Sequence, residues 1–438
     1  MFQRKLIAVL GVVALLAVMA GTGEASLSRV EGLGLGSVPF LSQFTDDYVN
    51  IYPYPTSVVR QNNLVLAELG VNSDGDTNEV ESEVDQSFTI IKNFSNFGAI
   101  AFQMEQSDLN SSFPGNLNNQ NIDLIWGRGF DKLDLAIRLD YTNSSYELED
   151  NAGNSVDYNG LSFIALPPYP FLGIFPDAIA GTGVELNSWG VTPAVALHLS
   201  NDNRIEAALT LRDYSLERTS TTATVPDETW ETDADLSYSL LVRGVMNDGD
   251  RATWFPAAWY VNDDLSYTVS NIAPGVENRI VEETYRNYGF GISHNMRVND
   301  NNLLLFGAAF GQTKHEYERG DANDGVANLE TQNLEEKVTF LPIFFAGLET
   351  DATNWLKIRL GATNALTKTD IEETLFDTTS ATEKFNFTDF EFNIGAGLRW
   401  NNLDIDVTVN EAFPLSGGWI LSGDEETPFT RASATYHY

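Results

Sequence analysis

The chain has 438 residues, no cysteine, and a net charge of −37 at pH 7 from 62 acidic and 25 basic side chains. Without thiols it can form neither a disulfide nor a thiolate metal site. So large a negative charge argues against nucleic acid as a partner, because phosphate binding needs cationic side chains.

At the N-terminus, Arg4 and Lys5 precede an apolar run from Leu6 to Met19, and Gly23-Glu24-Ala25 follows. That pattern predicts a secretory signal peptide over residues 1–25, cleaved after Ala25. Beyond it, no run of about 18 apolar residues predicts a helical membrane span. Residues 26–61, including DDYVNIYPYPTSVV at 46–59, precede the first alternating stretch. They are expected to form a periplasmic or luminal segment, with an ordinary N-terminal extension as the alternative.

From residue 62 onward the chain alternates apolar and polar side chains, segment after segment. In 133–141, Leu133, Leu135, Ile137, Leu139 and Tyr141 oppose Asp134, Ala136, Arg138 and Asp140. Residues 205–212, 390–400 and 403–410 repeat the pattern. Successive side chains of a strand point to opposite faces, so each stretch reads as a two-faced strand. A soluble sandwich also alternates. Here the polar faces mix both charge signs with glycine, as a wet lumen would, and many stretches approach the roughly 9 to 11 residues of a tilted membrane strand.

Connections alternate between short and long, as expected for periplasmic turns and outer loops. The short ones are NFSN (93–96), Phe130-Asp131-Lys132, NDN (201–203), NDGD (247–250), NDN (299–301), TDATN (350–354) and NNL (401–403). Asn, Asp and Gly tolerate the left-handed conformations of tight hairpins. Phe94, Phe97, Phe130, Trp254, Trp355 and Trp400 lie at their edges, as an interfacial aromatic girdle would. Seven turns join fourteen strands, and stretches near 62–70 and 428–438 raise the count to sixteen. The expected fold is an all-β transmembrane antiparallel barrel over 62–438, of 16 strands or alternatively 14. Such a barrel must close, since lipid tolerates no unpaired edge.

Candidate lumen or selectivity residues are Asp134, Arg138, Asp140, Arg212, Arg243, Lys357, Glu391, Arg399, Asp404 and Asp406. Facing one another across water they could select solutes by charge; paired, they would only brace the barrel. Acidic outer loops include NSDGDTNEVE at 72–81, where Asp74, Asp76, Glu79 and Glu81 are weak metal candidates. Hard cations want several close oxygens, but the spacing departs from a helix–loop–helix calcium site. Loosely bound divalent cations bridging to lipopolysaccharide are therefore the expectation, with no dedicated cofactor. His198, His294, His315 and His437 are scattered, and no nucleophile elbow is present, so no enzyme is expected. The RGD at 319–321 reads as coincidence.

The connection 148–184 is the longest and reads LSFIALPPYPFLGIFPDAIAGTG over 161–183. Phe163, Ile164, Leu166, Tyr169, Phe171 and Phe175 make it too apolar for bulk water. It is expected to constrict or gate the lumen, or to admit hydrophobic compounds.

The chain ends TRASATYHY, alternating to its last residue. This resembles the C-terminal assembly signal of bacterial outer-membrane β-barrel proteins, with Tyr436 and Tyr438 as the signal residues. The resemblance is porin-like at the level of class. It implies residence in the bacterial outer membrane, contact with outer-membrane lipid and lipopolysaccharide, and delivery by the barrel assembly machinery; a homo-oligomer stays open. The apolar loop and residues 26–61 also resemble outer-membrane transporters of fatty acids and other hydrophobic compounds, though Tyr-Pro-Thr replaces their Asn-Pro-Ala segment. The leading expectation is a cation-favouring channel for passive diffusion of small solutes. Alternatives are an uptake channel for hydrophobic compounds and a closed structural or adhesive surface barrel.

Overall fold

A computed structural model describes residues 26–36, 40–72, 83–109, 116–147, 182–200, 203–220, 229–270, 279–319, 331–375, 380–409 and 429–438. The strands, in chain order, are β1 (Leu64–Asn72), β2 (Glu83–Phe94), β3 (Gly98–Leu109), β4 (Asn116–Gly129), β5 (Leu133–Glu147) and β6 (Thr182–His198). There follow β7 (Arg204–Ser220), β8 (Thr229–Thr232), β9 (Ser237–Asp248), β10 (Ala252–Asp264), β11 (Tyr267–Ser270) and β12 (Arg279–Asn299). The last six are β13 (Asn302–Arg319), β14 (Thr331–Asp351), β15 (Leu356–Leu375), β16 (Ser380–Trp400), β17 (Leu403–Val409) and β18 (Phe429–His437). The short β8 and β11 pair with each other and extend β9 and β10, so eighteen segments make sixteen staves. Neighbouring staves are antiparallel, and β18 pairs with β1 from Leu64↔His437 to Gly70↔Arg431. The sheet is a closed barrel.

The alternation explains why it closes around a polar interior. On β5, Asp134, Ala136, Arg138 and Asp140 are buried, while Leu135, Ile137 and Leu139 are exposed. Phe290 and Phe310, directly opposite on β12 and β13, stack outside the barrel with centroids 5.5 Å apart. A belt of exposed Leu, Ile and Phe of this kind is stable only against lipid. The seven short turns lie at one end, and Phe94, Phe97, Phe130, Trp254, Trp355 and Trp400 beside them are all exposed, as a girdle requires.

Among the described residues, β12 to β16 run 18 to 21 residues, and β17, β18 and β1 run 7, 9 and 9. On β18, Ser433, Thr435 and His437 are buried, and Tyr436 is half-buried on the opposite face. Tyr438 donates its hydroxyl to the Ile91 carbonyl at 3.3 Å, and Lys92 sits 4.7 Å above its ring.

Residues 26–36 and 40–61 lie inside the barrel. Helix α1 (Leu27–Gly32) is capped by Ser26, whose hydroxyl accepts from the Arg29 N–H at 3.3 Å. Three 3-10 turns follow: Leu41–Phe44, Tyr48–Ile51 and Pro55–Arg60. Leu33, Leu41, Phe44, Ile51, Tyr54 and Val58 are fully buried and share one apolar cluster with inward-facing wall residues. The segment is a plug in the short-turn half, because it binds Asp406 and Asp134, each a few residues from a short turn.

Candidate functional site

The plug meets the wall in two chemically different ways. Toward β4–β9 and toward β14–β18 the contact is ionic. Arg243, fully buried on β9, donates to Glu206 Oε2 at 2.5 Å, to the Thr45 carbonyl at 2.9 Å and to the Gln43 carbonyl at 3.3 Å. Its guanidinium also lies 4.5 Å from the centre of the Tyr54 ring. Glu206 accepts in addition from Arg204 at 3.0 Å and from Arg60 of the plug. Asp46 of the plug bridges Arg204 at 2.6 Å and Arg243 at 3.4 Å. Asp134 takes Arg60 at 3.3 Å and His198 at 2.9 Å. Three guanidiniums thus face three carboxylates, which is what permits such charges to be buried at all.

A second network holds the start of the plug. Arg29 donates to Glu349 at 2.7 Å and pairs with Asp47. Arg359 spans Glu349 at 2.7 Å and Asp406 at 2.6 Å, and Asp406 accepts from the Ser26 hydroxyl at 3.0 Å. Burial pushes the Asp47 carboxyl up against the opposing pull of Arg29. Glu31 pairs with Arg431 of the closing strand at 2.7 Å, and the Thr408 hydroxyl donates to the Ser28 carbonyl at 3.0 Å.

The lumen residues expected from the sequence divide between contacts with the plug and contacts within the wall. Asp134, Arg243 and Asp406 contact the plug directly, and Arg138 donates to the Tyr52 carbonyl at 3.2 Å and to Asp123 at 2.5 Å. Asp140 and Arg212 pair with each other at 2.7 Å. Lys357 lies 3.4 Å from both Glu349 and Asp351, Glu391 accepts from Asn393 at 2.7 Å, and Arg399 pairs with Asp404 at 3.1 Å. The expectation missed Glu206, Arg204, Glu349 and Arg359 on the wall and Arg29, Asp46, Asp47 and Arg60 of the plug. The loop residues Phe163, Ile164, Leu166, Tyr169, Phe171 and Phe175 and the acidic Asp74, Asp76, Glu79 and Glu81 lie outside the described residues. Among the described residues, no group of three or more His, Asp or Glu could hold a metal ion.

Toward β10–β13 and the Phe345 stretch of β14 the side-chain contact is apolar, while the Phe44 carbonyl accepts from Ser293 at 2.9 Å and Asn295 at 3.1 Å. Phe40 stacks on Trp259 with centroids 4.9 Å apart and planes 15° from parallel, and Phe44 stacks on Phe345 at 5.2 Å and 25°. Inward-facing glycines make the room. A side-chain carbon at Gly289 would lie 2.3 Å from the Trp259 ring, one at Gly291 2.6 Å from Phe44, and one at Gly307 2.4 Å from Phe345. Glycine in a strand interior commonly marks such a close approach, a signal present in the sequence and left unread. Phe255, Ala257, Leu305, Ala309 and Ile343 complete the apolar wall.

A closed antiparallel barrel, apolar outside and ionic within, with an aromatic rim at its short turns, defines an outer-membrane β-barrel protein. The chain resides in the bacterial outer membrane. No protein-family model matches it, and no curated protein matches it in sequence. Among solved structures it is similar to a FadL homologue of Pseudomonas aeruginosa, at 10% identity over 96% of this chain and 100% of that one, with a TM-score of 0.46. It is likewise similar to the CymD monoaromatic hydrocarbon channel (11% identity, 95% and 98% covered, TM-score 0.42). The copper transporter OprC follows at 12% identity, 79% and 60% covered, TM-score 0.42. Likenesses at this level carry no inference about cargo or mechanism.

Proposed function

We propose that the protein is an outer-membrane transport channel that takes up small hydrophobic compounds. One observation carries the reading: the short-turn half of the lumen is filled by a plug whose side-chain contact with β10–β13 and with Phe345 of β14 is aromatic and aliphatic. A hydrated ion crossing that contact would lose its solvation without compensation, whereas an apolar solute gains by leaving water. Among the described residues, Arg243, Glu206, Arg359 and Asp406 are engaged with one another and with the plug. This weakens the expectation of a passive, cation-favouring porin. The apolar sequence at 161–183 suits an outer access region for the same cargo.

Proteoliposomes containing the purified protein test this reading. Accelerated transfer of a fluorescent fatty acid analogue across the bilayer, with no steady ion conductance in a planar membrane, is the expected result. Stable cation-selective conductance steps without transfer of the analogue would restore the porin reading.

A further inference from the structure

The apolar contact has two stacked layers, and they differ in one respect. Strand β12 runs from the outer end of the barrel toward a short turn, so Gly289 lies nearer the outside than Gly291. The Phe40–Trp259 layer over Gly289 is therefore the outer one, and the Phe44–Phe345 layer over Gly291 the inner.

Trp259 is held with unusual definition. Its Nε1–H donates to Asn287 Oδ1 at 2.7 Å, and Asn287 donates in turn to Thr313 Oγ1 at 3.0 Å. The indole lies flat across β12 and β13, because Gly289 and Gly311 offer no side chain to lift it. The wall thus presents a fixed, flat aromatic floor. Phe40, by contrast, sits in a conformation that its residue type disfavours. Its φ is 71°, in the left-handed region, where a bulky side chain clashes with its own backbone. It is 5% exposed and holds no hydrogen bond through its side chain, so the ring stack is what it gains.

A strained residue of the plug, its ring nearly parallel to a preset aromatic floor, is the arrangement of an internal competitor. We propose that the Trp259 face, floored by Gly289 and Gly311, is a binding slot for a planar aromatic ring of the cargo, and that Phe40 occupies this slot when cargo is absent. An incoming ring replaces the Phe40 ring on Trp259 with a like interaction, while Phe40 leaves a disfavoured backbone conformation. Cargo with a flat ring would therefore be favoured over saturated cargo of equal volume. The proposal deepens the uptake reading above and rests on it for physiological meaning, but the slot can be tested by itself.

The probe is 2-naphthol, titrated into nanodiscs carrying the protein, with empty nanodiscs as the partitioning control. Heat-modifiable migration confirms that each variant is assembled. Removing the competitor in Phe40→Ala is expected to tighten saturable binding about tenfold, the scale of one aromatic pair. The double variant Phe40→Ala/Trp259→Ala is expected to lose it. Phe40→Leu, which keeps an apolar side chain but no flat ring, should bind more tightly than wild type and supplies the test if the alanine variant does not assemble. Equal affinities in wild type, the Phe40 variants and the double variant would overturn the slot. If fatty acid transfer persists while the slot fails, uptake stands alone. Trp259-dependent binding in a protein that transfers nothing would retire uptake and keep the slot.

Discussion

The two sides of the plug achieve comparable burial by opposite means. On the side of β9, one arginine reaches two carboxylates, two carbonyls and an aromatic ring, and each of those contacts has a direction. On the side of β12 and β13, rings lie over glycines and contribute area without direction, and the directed bonds there, from Ser293 at 2.9 Å and Asn295 at 3.1 Å, reach the Phe44 carbonyl and no charge. Hydrogen bonds to buried charges fix position, because a misplaced partner leaves a charge unsatisfied. Apolar contacts fix little, because one ring or chain can replace another at small cost. The ionic side therefore sets where the plug sits, and the aromatic side is where an apolar cargo can take its place.

The largest test of this contrast is Arg243→Ala. Removing one partner of a buried charge cluster costs about 3–5 kcal/mol. Trypsin cleavage after Arg29 and Arg60 of the plug should then accelerate about a hundredfold or more. Phe44→Ala comes next, since emptying a buried aromatic site costs about 3 kcal/mol at the lower end of the usual range, and the same protease assay reads it. Conservative replacements should separate the two sides. Phe44→Leu should recover most of the protection, whereas Arg243→Lys should recover little, because an ammonium cannot reproduce the guanidinium fork. Tyr52→Phe, which removes the hydroxyl bonded to Thr89 at 2.9 Å, should cost about 1 kcal/mol and raise cleavage several-fold at most. Equal recovery by Phe44→Leu and Arg243→Lys would erase the contrast.

The barrel was legible in the sequence because its signals are local. Period-two alternation and Asn/Asp/Gly turns placed the seven hairpins, and the terminal alternation marked β18, which pairs with β1. Irregularities were less visible: the interruptions between β8 and β9 and between β10 and β11 leave the count of staves unchanged while splitting two of them. Some inward charges, such as Arg138, Arg243 and Asp406, stand on polar faces that the alternation marks, whereas Glu206, Arg204, Glu349 and Arg359 were missed. The pairing of charges was not legible, because Arg29 meets Glu349 across 320 positions and Arg431 meets Glu31 across 400. No periodicity encodes such pairs. The aromatic contact left a fainter mark, the inward glycines at 289, 291, 307 and 311 among bulky neighbours. Those positions read as a polar or neutral face until Trp259, Phe345 and the plug are seen to fill them.

The central claim is that hydrophobic cargo passes only when the plug yields its place, and a reversible lock tests it most directly. The Ser293 hydroxyl of β12 donates to the Phe44 carbonyl at 2.9 Å, so plug and wall backbones lie side by side on the aromatic side. The chain has no cysteine, so Phe44→Cys/Ser293→Cys introduces a single oxidisable thiol pair at that contact. In proteoliposomes the oxidised variant should transfer no fatty acid analogue, and reduction should restore transfer. Equal transfer by the oxidised and reduced forms, with the cross-link verified, would contradict the account.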